Sequence, residues 1–300
     1  MLQTYDPRNA DILVHVNGAL LPRDAAKISV FDSVVQGGDA VWEGLRLYRE
    51  GIMLFGRHLE RMQASAHALA FAGVPGSDAI RAAVAGTLQA NGMTHDVHIR
   101  LTLTRGEKIT SGMDPRLNTK GCGLIVLAEW KPPVFDNTKG ISVITASTRR
   151  MGPEVLDPKI HHNNLLNNIL AKIEANVAGV DAAIQLDAQG HVAELNDTNL
   201  FLVKGRELHT PTTRSCLGGI TRGLVLELAR ELGWSVHQRD LSVTELMGAD
   251  AVFATGTMGE LTPVRSIDGR SIGRVGSGDA FAELQRSFHA AIPRFCEPVV

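Results

Sequence analysis

Three tight turns fold neighbouring apolar runs of this chain back on themselves, and they constrain its architecture more than any other feature. Asn17-Gly18 divides the run 12–21. Glu50-Gly51 joins A-V-W-E-G-L-R-L-Y to the run 52–55, and Lys204-Gly205 joins 199–203 to 207–210. Asn-Gly is a strong hairpin signal because both positions tolerate positive φ. Period-two apolar patterns predict further strands at 97–105, 121–129, 141–146, 182–186, 191–194, 235–239, 251–255 and 261–267. Helical spacing predicts a helix over 57–73 with Leu59, Met62, Ala66 and Leu69 on one face, and a second one capped by Ser77, with Ile80, Val84 and Leu88 inside. More helices are expected over 163–178, 220–232 and 278–291, with a short one capped by Ser242. Strands and helices mix without strict alternation, so an α+β (mixed α/β) chain of two units is expected rather than one doubly wound sheet. Pro132-Pro133 marks a linker over 131–140, between a smaller N-terminal domain (1–130) and a larger C-terminal one (141–300).

The 300 residues suffice for two ordinary domains. A net charge of -2 gives no case for a nucleic-acid or membrane-surface partner. No apolar run approaches the roughly 18 residues that span a bilayer. The start, M-L-Q-T-Y-D-P-R-N-A-D, lacks the basic-then-apolar profile of a signal peptide, so a cytoplasmic protein is expected. Cys122, Cys216 and Cys296 are dispersed and odd in number, which indicates neither a disulfide framework nor a zinc site. His161 and His162 are adjacent and have no acid at ligand spacing, so no metal is expected. Walker A, G-x-G-x-x-G, G-x-S-x-G and H-E-x-x-H patterns are absent.

The stretch 157–201 carries the chemistry. Lys159 follows Pro158, which fixes the chain before it. The expected helix start a few residues later lends positive potential that would favour a neutral amine, the form Schiff-base chemistry requires. Glu194 ends an alternating apolar run and could pair with a protonated ring nitrogen. L-G-G-I-T-R (217–222) places two glycines before a helix, and T-G-T-M-G-E (255–260) follows a strand. Both can present backbone N–H groups to a phosphate. Arg61, in R-H-L-E-R-M, is expected on the helix face turned away from much of the apolar stripe.

With G-D-A-V-W-E-G-L-R-L-Y, R-H-L-E-R-M, K-I-H-H-N-N-L-L, G-H-V-A-E-L-N-D-T-N-L-F, L-G-G-I-T-R and T-G-T-M-G-E-L-T-P-V in this order, the chain resembles the class IV (fold type IV) pyridoxal-phosphate aminotransferases from about Val14 to Ile292. That group includes branched-chain and D-amino acid transaminases and aminodeoxychorismate lyase. The resemblance implies a two-domain fold with pyridoxal 5'-phosphate between the domains. It implies that Lys159 is the Schiff-base lysine and general base, and that Glu194 bonds the pyridine nitrogen. Arg61, Ile220, Thr221 and Thr257 would hold the phosphate, and Asn164 would stand near the cofactor hydroxyl. It further implies ping-pong exchange between an amino donor and a 2-oxo acid such as 2-oxoglutarate, in a homodimer.

The branched-chain group is the most similar. On that likeness Arg100 receives a substrate carboxylate, and Trp42, Trp130, Met258, His98 and Gly37 line the substrate pocket. Three positions where the group carries tyrosine are Gly37, His98 and Asn164, which points to a more polar donor or an amine. Alternatives are a D-amino acid or (R)-amine transaminase, an aminodeoxychorismate-type lyase, and a non-catalytic protein that binds the cofactor.

Overall fold

The computed structural model describes residues 4–273 and 278–299, in two compact units that are not contiguous in sequence. The N-terminal unit holds residues 4–132, 160–164 and 292–299. The C-terminal unit holds 133–159, 165–273 and 278–291. The stretch expected as one domain at 141–300 is therefore interrupted by two segments that pack with the N-terminal unit.

In the N-terminal unit the chain runs β1 (Leu13–Val16), β2 (Ala19–Pro22), α1 (Ser33–Gly37), β3 (Ala40–Tyr48), β4 (Gly51–Met53), α2 (Phe55–Ala68), α3 (Ser77–Ala90), β5 (Val97–Thr104) and β6 (Gly123–Trp130). Among the described residues these strands form a seven-stranded antiparallel sheet with the C-terminal strand Cys296–Glu297, in the order Cys296–Glu297, β4, β3, β5, β6, β1, β2. Asn17 (φ 50°) and Gly18 (φ 92°) both take the positive φ that the hairpin between β1 and β2 requires. Val41, Leu45 and Leu47 share one parity of β3 and pack with Leu101 and Val126 against Leu59, Met62, Ile80, Val84 and Leu88 of α2 and α3. Burying that face supplies the unit's hydrophobic driving force.

Local departures from the sequence expectations have physical causes. The return strand stops at Met53, because Leu54 turns to φ 53° and Phe55 opens α2. The residue at the N-cap of α3 is Gly76, while Ser77 lies inside the helix and its Oγ accepts from Gln63. The short helix α1, which no apolar period announces, is capped by Asp32, whose carboxylate accepts from the Val34 N–H, and closed by Gly38 at φ 65°.

The C-terminal unit contains β7 (Ile141–Thr145), α4 (Leu166–Val177), β8 (Ala182–Leu186), β9 (Val192–Leu195), β10 (Asn199–Lys204), β11 (Glu207–Thr210), α5 (Ile220–Glu231), β12 (Ser235–Gln238), α6 (Val243–Met247), β13 (Ala251–Gly256), β14 (Glu260–Ile267) and β15 (Arg270–Ser271). The last helix, α7 (Gly278–Phe295), belongs to it as far as Ala291. Its mixed sheet runs β12-β11-β10-β13-β14-β7-β8-β9, with β15 paired to β14. The parallel pairs are β11 with β12, β14 with β7, and β7 with β8. Phe201 and Phe253 stack at 5.0 Å across β10 and β13, and Phe281 of α7 packs on Phe253. Ser242 and Glu245 form a capping box at α6.

The helix after Lys159 starts at Leu166, not at Asn163. The intervening residues are captured by β3: Trp42 N–H donates to the His161 carbonyl and Asn163 N–H to the Ala40 carbonyl, with a bridge between Val41 and His162. Lys159 therefore lies seven residues before the start of α4.

Candidate active site

The C-terminal unit assembles Glu194, Lys159, the start of α5 and the turn between β13 and β14. Glu194 points into the interior from β9 and is buried. Its Oε1 accepts from Arg150 Nε at 2.7 Å, and its Oε2 is 3.3 Å from Asn199 Nδ2. Burial pushes the Glu194 carboxyl above its usual range; the charge and hydrogen bond of Arg150 and the Leu217 N–H oppose this without overcoming it. Arg150 is held by its own N–H to the Leu186 carbonyl, and its Nη1 lies 3.4 Å from Asn167 and Asn168. Gln185 lies directly across from Glu194 in the β8–β9 register, and its Oε1 is buried without a hydrogen-bond partner.

Lys159 is half exposed. Its Nζ lies 2.8 Å from Asp157 Oδ1, which also accepts from the Lys159 N–H. Cys216, in the loop before α5, is buried, and its thiol donates to the Thr212 carbonyl. Burial pushes the thiol up to about 12, the Glu194 charge adds to the rise, and Arg222, Arg150 and Lys159 pull against it.

Two backbone concavities border this group. Gly219 is the N-cap of α5, with Ile220 and Thr221 in the first turn. A Cβ at Gly219 would come within 2.0 Å of Asn199 Oδ1, so the chain approaches Asn199 as only glycine permits. Asn199 donates to the Leu217 carbonyl as well, tying the loop to Glu194. Thr255 faces Asn199 across the β10–β13 register, and its buried Oγ1 has no hydrogen-bond partner. The following turn carries Thr257 and Met258. It is braced by the Val134 N–H on the Met258 carbonyl and by Asn137 on the Gly259 carbonyl. An orphaned hydroxyl, backbone N–H groups at a helix start and an under-satisfied acid fit a phosphorylated ring that offers both an anion and a protonated nitrogen.

The N-terminal unit holds the other expected residues. Arg61 does not lie on an outward surface. Its Nε and Nη2 fork onto Glu43 Oε1 and Oε2 at 2.8 and 2.6 Å. His58 Nδ1 lies 2.6 Å from Glu43 Oε2, and His161 Nδ1 lies 3.2 Å from Oε1. Burial works to raise the Glu43 carboxyl, yet the Arg61 charge, with His161 and the hydrogen bonds, holds it well below the usual carboxylate range. Burial lowers His161 to about 4, so its imidazole is neutral at pH 7.

The opposite parity of β3 and β5 carries Trp42, Arg46, His98 and Arg100. The Arg100 guanidinium lies over the Trp42 ring at 3.4 Å and donates to Asn163 Oδ1. Burial lowers Arg100 to about 10. His98 is neutral, brought to about 4 by burial and by the charges of Lys131, Arg100 and Arg46. Trp130 ends β6, bonded through its backbone to Asn9. Gly37 ends α1. Asn164 donates to the Gly38 carbonyl at 3.0 Å and thereby locks the turn after α1.

Sequence reasoning missed Glu43, His58, Arg150 and Asn199. Glu43 had a signal: it occupies the interior parity of β3 among Val41, Leu45 and Leu47, where a charge must find a partner. Arg150 lies in an irregular stretch with no pattern to mark it. A Glu207–His209–His237 cluster spans β11 and β12. Arg239 Nε donates to His209 Nδ1, which leaves the Nε2 proton of His209 directed at Glu207. A cleft of about 510 Å³ in the N-terminal unit, lined by His15, Asp32 and Cys122 among others, includes none of the expected site residues.

Residues 40–267 match the family model described as amino-transferase class IV. The chain is 54% identical over 282 residues to the branched-chain-amino-acid aminotransferase-like protein 2 of Arabidopsis thaliana, covering 94% of this chain and 50% of that protein. It thus spans about half the length of that relative. It is 38% identical to a putative branched-chain-amino-acid aminotransferase of Methanocaldococcus jannaschii, covering 92% of this chain and 94% of that one. The Escherichia coli branched-chain amino acid aminotransferase superposes with a TM-score of 0.87 at 29% identity, covering 96% of each chain. Another branched-chain amino acid aminotransferase, solved in complex with N-(5'-phosphopyridoxyl)-L-glutamate, superposes with a TM-score of 0.88 at 31% identity, covering 97% of this chain and 99% of that one. A match over three quarters of the chain, with motifs and fold in agreement, places it: the chain belongs to the class IV amino-transferases.

Proposed function

We propose that the chain is a pyridoxal 5'-phosphate-dependent aminotransferase that moves an amino group from an amino acid to a 2-oxo acid such as 2-oxoglutarate in a ping-pong cycle. The observation that carries this reading is the buried Glu194, bonded by Arg150 and Asn199, with Asn199 also tied to the loop that opens α5. Related structures solved with a phosphopyridoxyl-glutamate and with pyridoxamine 5'-phosphate support the choice of cofactor.

Bound there, the cofactor supplies an electron sink for a carbanion at the substrate α-carbon. Glu194 accepts a hydrogen bond from the ring nitrogen and keeps it protonated. Lys159 Nζ takes the proton from the α-carbon and returns it as general acid–base. The N–H groups of Ile220 and Thr221, the hydroxyls of Thr221 and Thr257, and the guanidinium of Arg61 hold the phosphate. Asn164 contributes near the cofactor hydroxyl. Arg100 receives a substrate carboxylate, while Trp42, Trp130, Met258, Gly37 and His98 shape the pocket. A neutral His98 in place of the expected tyrosine favours a more polar donor or an amine over leucine, isoleucine and valine. A donor screen with those three clearly best would refute that preference.

We place the enzyme in the cytoplasm as a homodimer. No helix among the described residues is long and apolar enough to cross a membrane. α4 exposes Leu166, Ile169, Leu170, Ile173 and Val177, while Lys172 and Glu174 turn back onto their own chain. An uncharged apolar stripe is self-complementary and suits a second copy.

The test of the function is spectroscopic. The chain mixed with pyridoxal 5'-phosphate should show a visible absorbance band that borohydride abolishes and that Lys159→Ala lacks. An amino donor should shift the band, and only a 2-oxo acid should restore it. Restoration without any acceptor, with pyruvate released, would instead indicate a lyase. No cofactor uptake would indicate a non-catalytic protein and overturn the proposal.

A further inference from the structure

We propose that Glu43 is a positioning residue that presets the Arg61 guanidinium for an anion and ties it to the segment following Lys159. The proposal rests on the reading of Arg61 as a phosphate contact given above. Glu43 uses both oxygens. Arg61 forks across them, His58 Nδ1 joins Oε2 and His161 Nδ1 joins Oε1. A two-point fork fixes the plane of a guanidinium, which a single hydrogen bond does not. His161 is in turn fixed at its backbone. Its N–H donates to Ser65 Oγ on α2, and its carbonyl accepts from the Trp42 N–H on β3. One acid therefore joins a helix, a strand and the residue two positions beyond Lys159.

A purely structural ion pair would suffice if every member were sealed, and apolar residues could then replace it at little cost. This cluster is not uniform. Side-chain exposure is 0% for Glu43 and 2% for His58, but 14% for Arg61 and 13% for His161. The anion is hidden and the cation emerges. An arriving phosphate would meet a guanidinium whose orientation is already set, so less rotamer freedom is lost on binding. His161 emerges beside it as a neutral ring, with Nδ1 3.3 Å from Arg61 Nη2. A phosphate there meets the emerging cation and no exposed carboxylate from the cluster.

The test compares pyridoxal 5'-phosphate with pyridoxal, which lacks the phosphate, by titrating the full chain and following absorbance. Glu43→Gln should weaken binding of the phosphorylated probe about tenfold and leave pyridoxal within about twofold. Adding Glu43→Gln to Arg61→Gln should cost nothing further, because both act through the same guanidinium. Equal weakening of both probes, or full additivity in the double variant, would overturn the proposal. If Glu43→Gln does not fold, Arg61→Lys serves. It keeps a charge on Glu43 but loses the fork, and unchanged binding of the phosphorylated probe would overturn the proposal. Failure of the cofactor reading is separate: the unsubstituted chain would then bind neither probe, and both inferences would fall.

Discussion

Glu43 and Glu194 are both buried carboxylates paired with an arginine, yet their acidities move in opposite directions. Glu43, in the N-terminal unit, is held well below the usual range, while Glu194, in the C-terminal unit, is pushed above it. The difference follows from the donors. Glu43 receives two hydrogen bonds from Arg61 and sits against two histidines. Glu194 receives one short bond from Arg150 and a longer one from Asn199, with the Leu217 N–H beside them. Burial penalises both charges, and only the forked arginine with its neighbours outweighs it. The satisfied acid has no capacity left and serves to hold others. The under-satisfied acid retains capacity for one more donor, as a group facing a protonated ring nitrogen must.

The largest effect that would break this comparison is stranding Glu43. Arg61→Ala should destabilise the N-terminal unit by about 3–5 kcal/mol, because it leaves a sealed charge uncompensated. Arg150→Ala should cost less, about 1–3 kcal/mol, since Glu194 can take up a proton instead. Trp42 and Trp130 report on one unit and Trp234 on the other, so denaturant unfolding followed by fluorescence in single-Trp variants separates the two. Equal losses would remove the distinction between the acids.

The second prediction is a difference of sign with pH. Glu43 has a depressed folded value, so the unfolded chain binds more protons below 4.5, and stability is lost as pH falls through the folded value. His161 and His98 act in the same direction: each moves from 6.5 to about 4, so each removes stability as pH falls across that window. Glu194 runs the other way. Its folded value lies above 4.5, so the folded chain binds the extra proton, and stability falls as pH rises through that higher value. Glu194→Gln should therefore gain on the parent as pH rises above 4.5, whereas Glu43→Gln should lose ground on the parent as pH rises toward 4.5 from below. Parallel curves for the two variants would contradict the assignment.

A smaller effect sharpens the site itself. Gly219→Ala places a Cβ against Asn199 Oδ1 and should push Asn199 away from Glu194. Removing that donor should raise the Glu194 carboxyl further and reduce transamination, with KM for the donor little changed. An effect on KM alone would mean that Asn199 acts on the substrate.

Much of this was legible in the chain. The turn at Asn17-Gly18, the alternation of β3 and the glycines before α5 follow from local chemistry, whereas the roles proposed for Arg61, Lys159, Glu194, Thr221 and Thr257 come from the family resemblance. Tertiary pairing hid the rest. A helix is expected from Asn163, but β3 takes backbone groups of residues 161–163, and α4 starts at Leu166. Arg61 reads as a surface arginine until Glu43 is recognised as a charge at an interior parity. Arg150 is placed by a hydrogen bond to Leu186, a partner that no sequence spacing announces.

The central claim is that Glu194 has room for, and protonates, a ring nitrogen. The most direct measurement is the 15N chemical shift of pyridoxal 5'-phosphate labelled at that nitrogen and bound to the chain, beside the same complex of Glu194→Gln. The account predicts a protonated nitrogen in the parent and an unprotonated one in the variant. The same shift in both would contradict it.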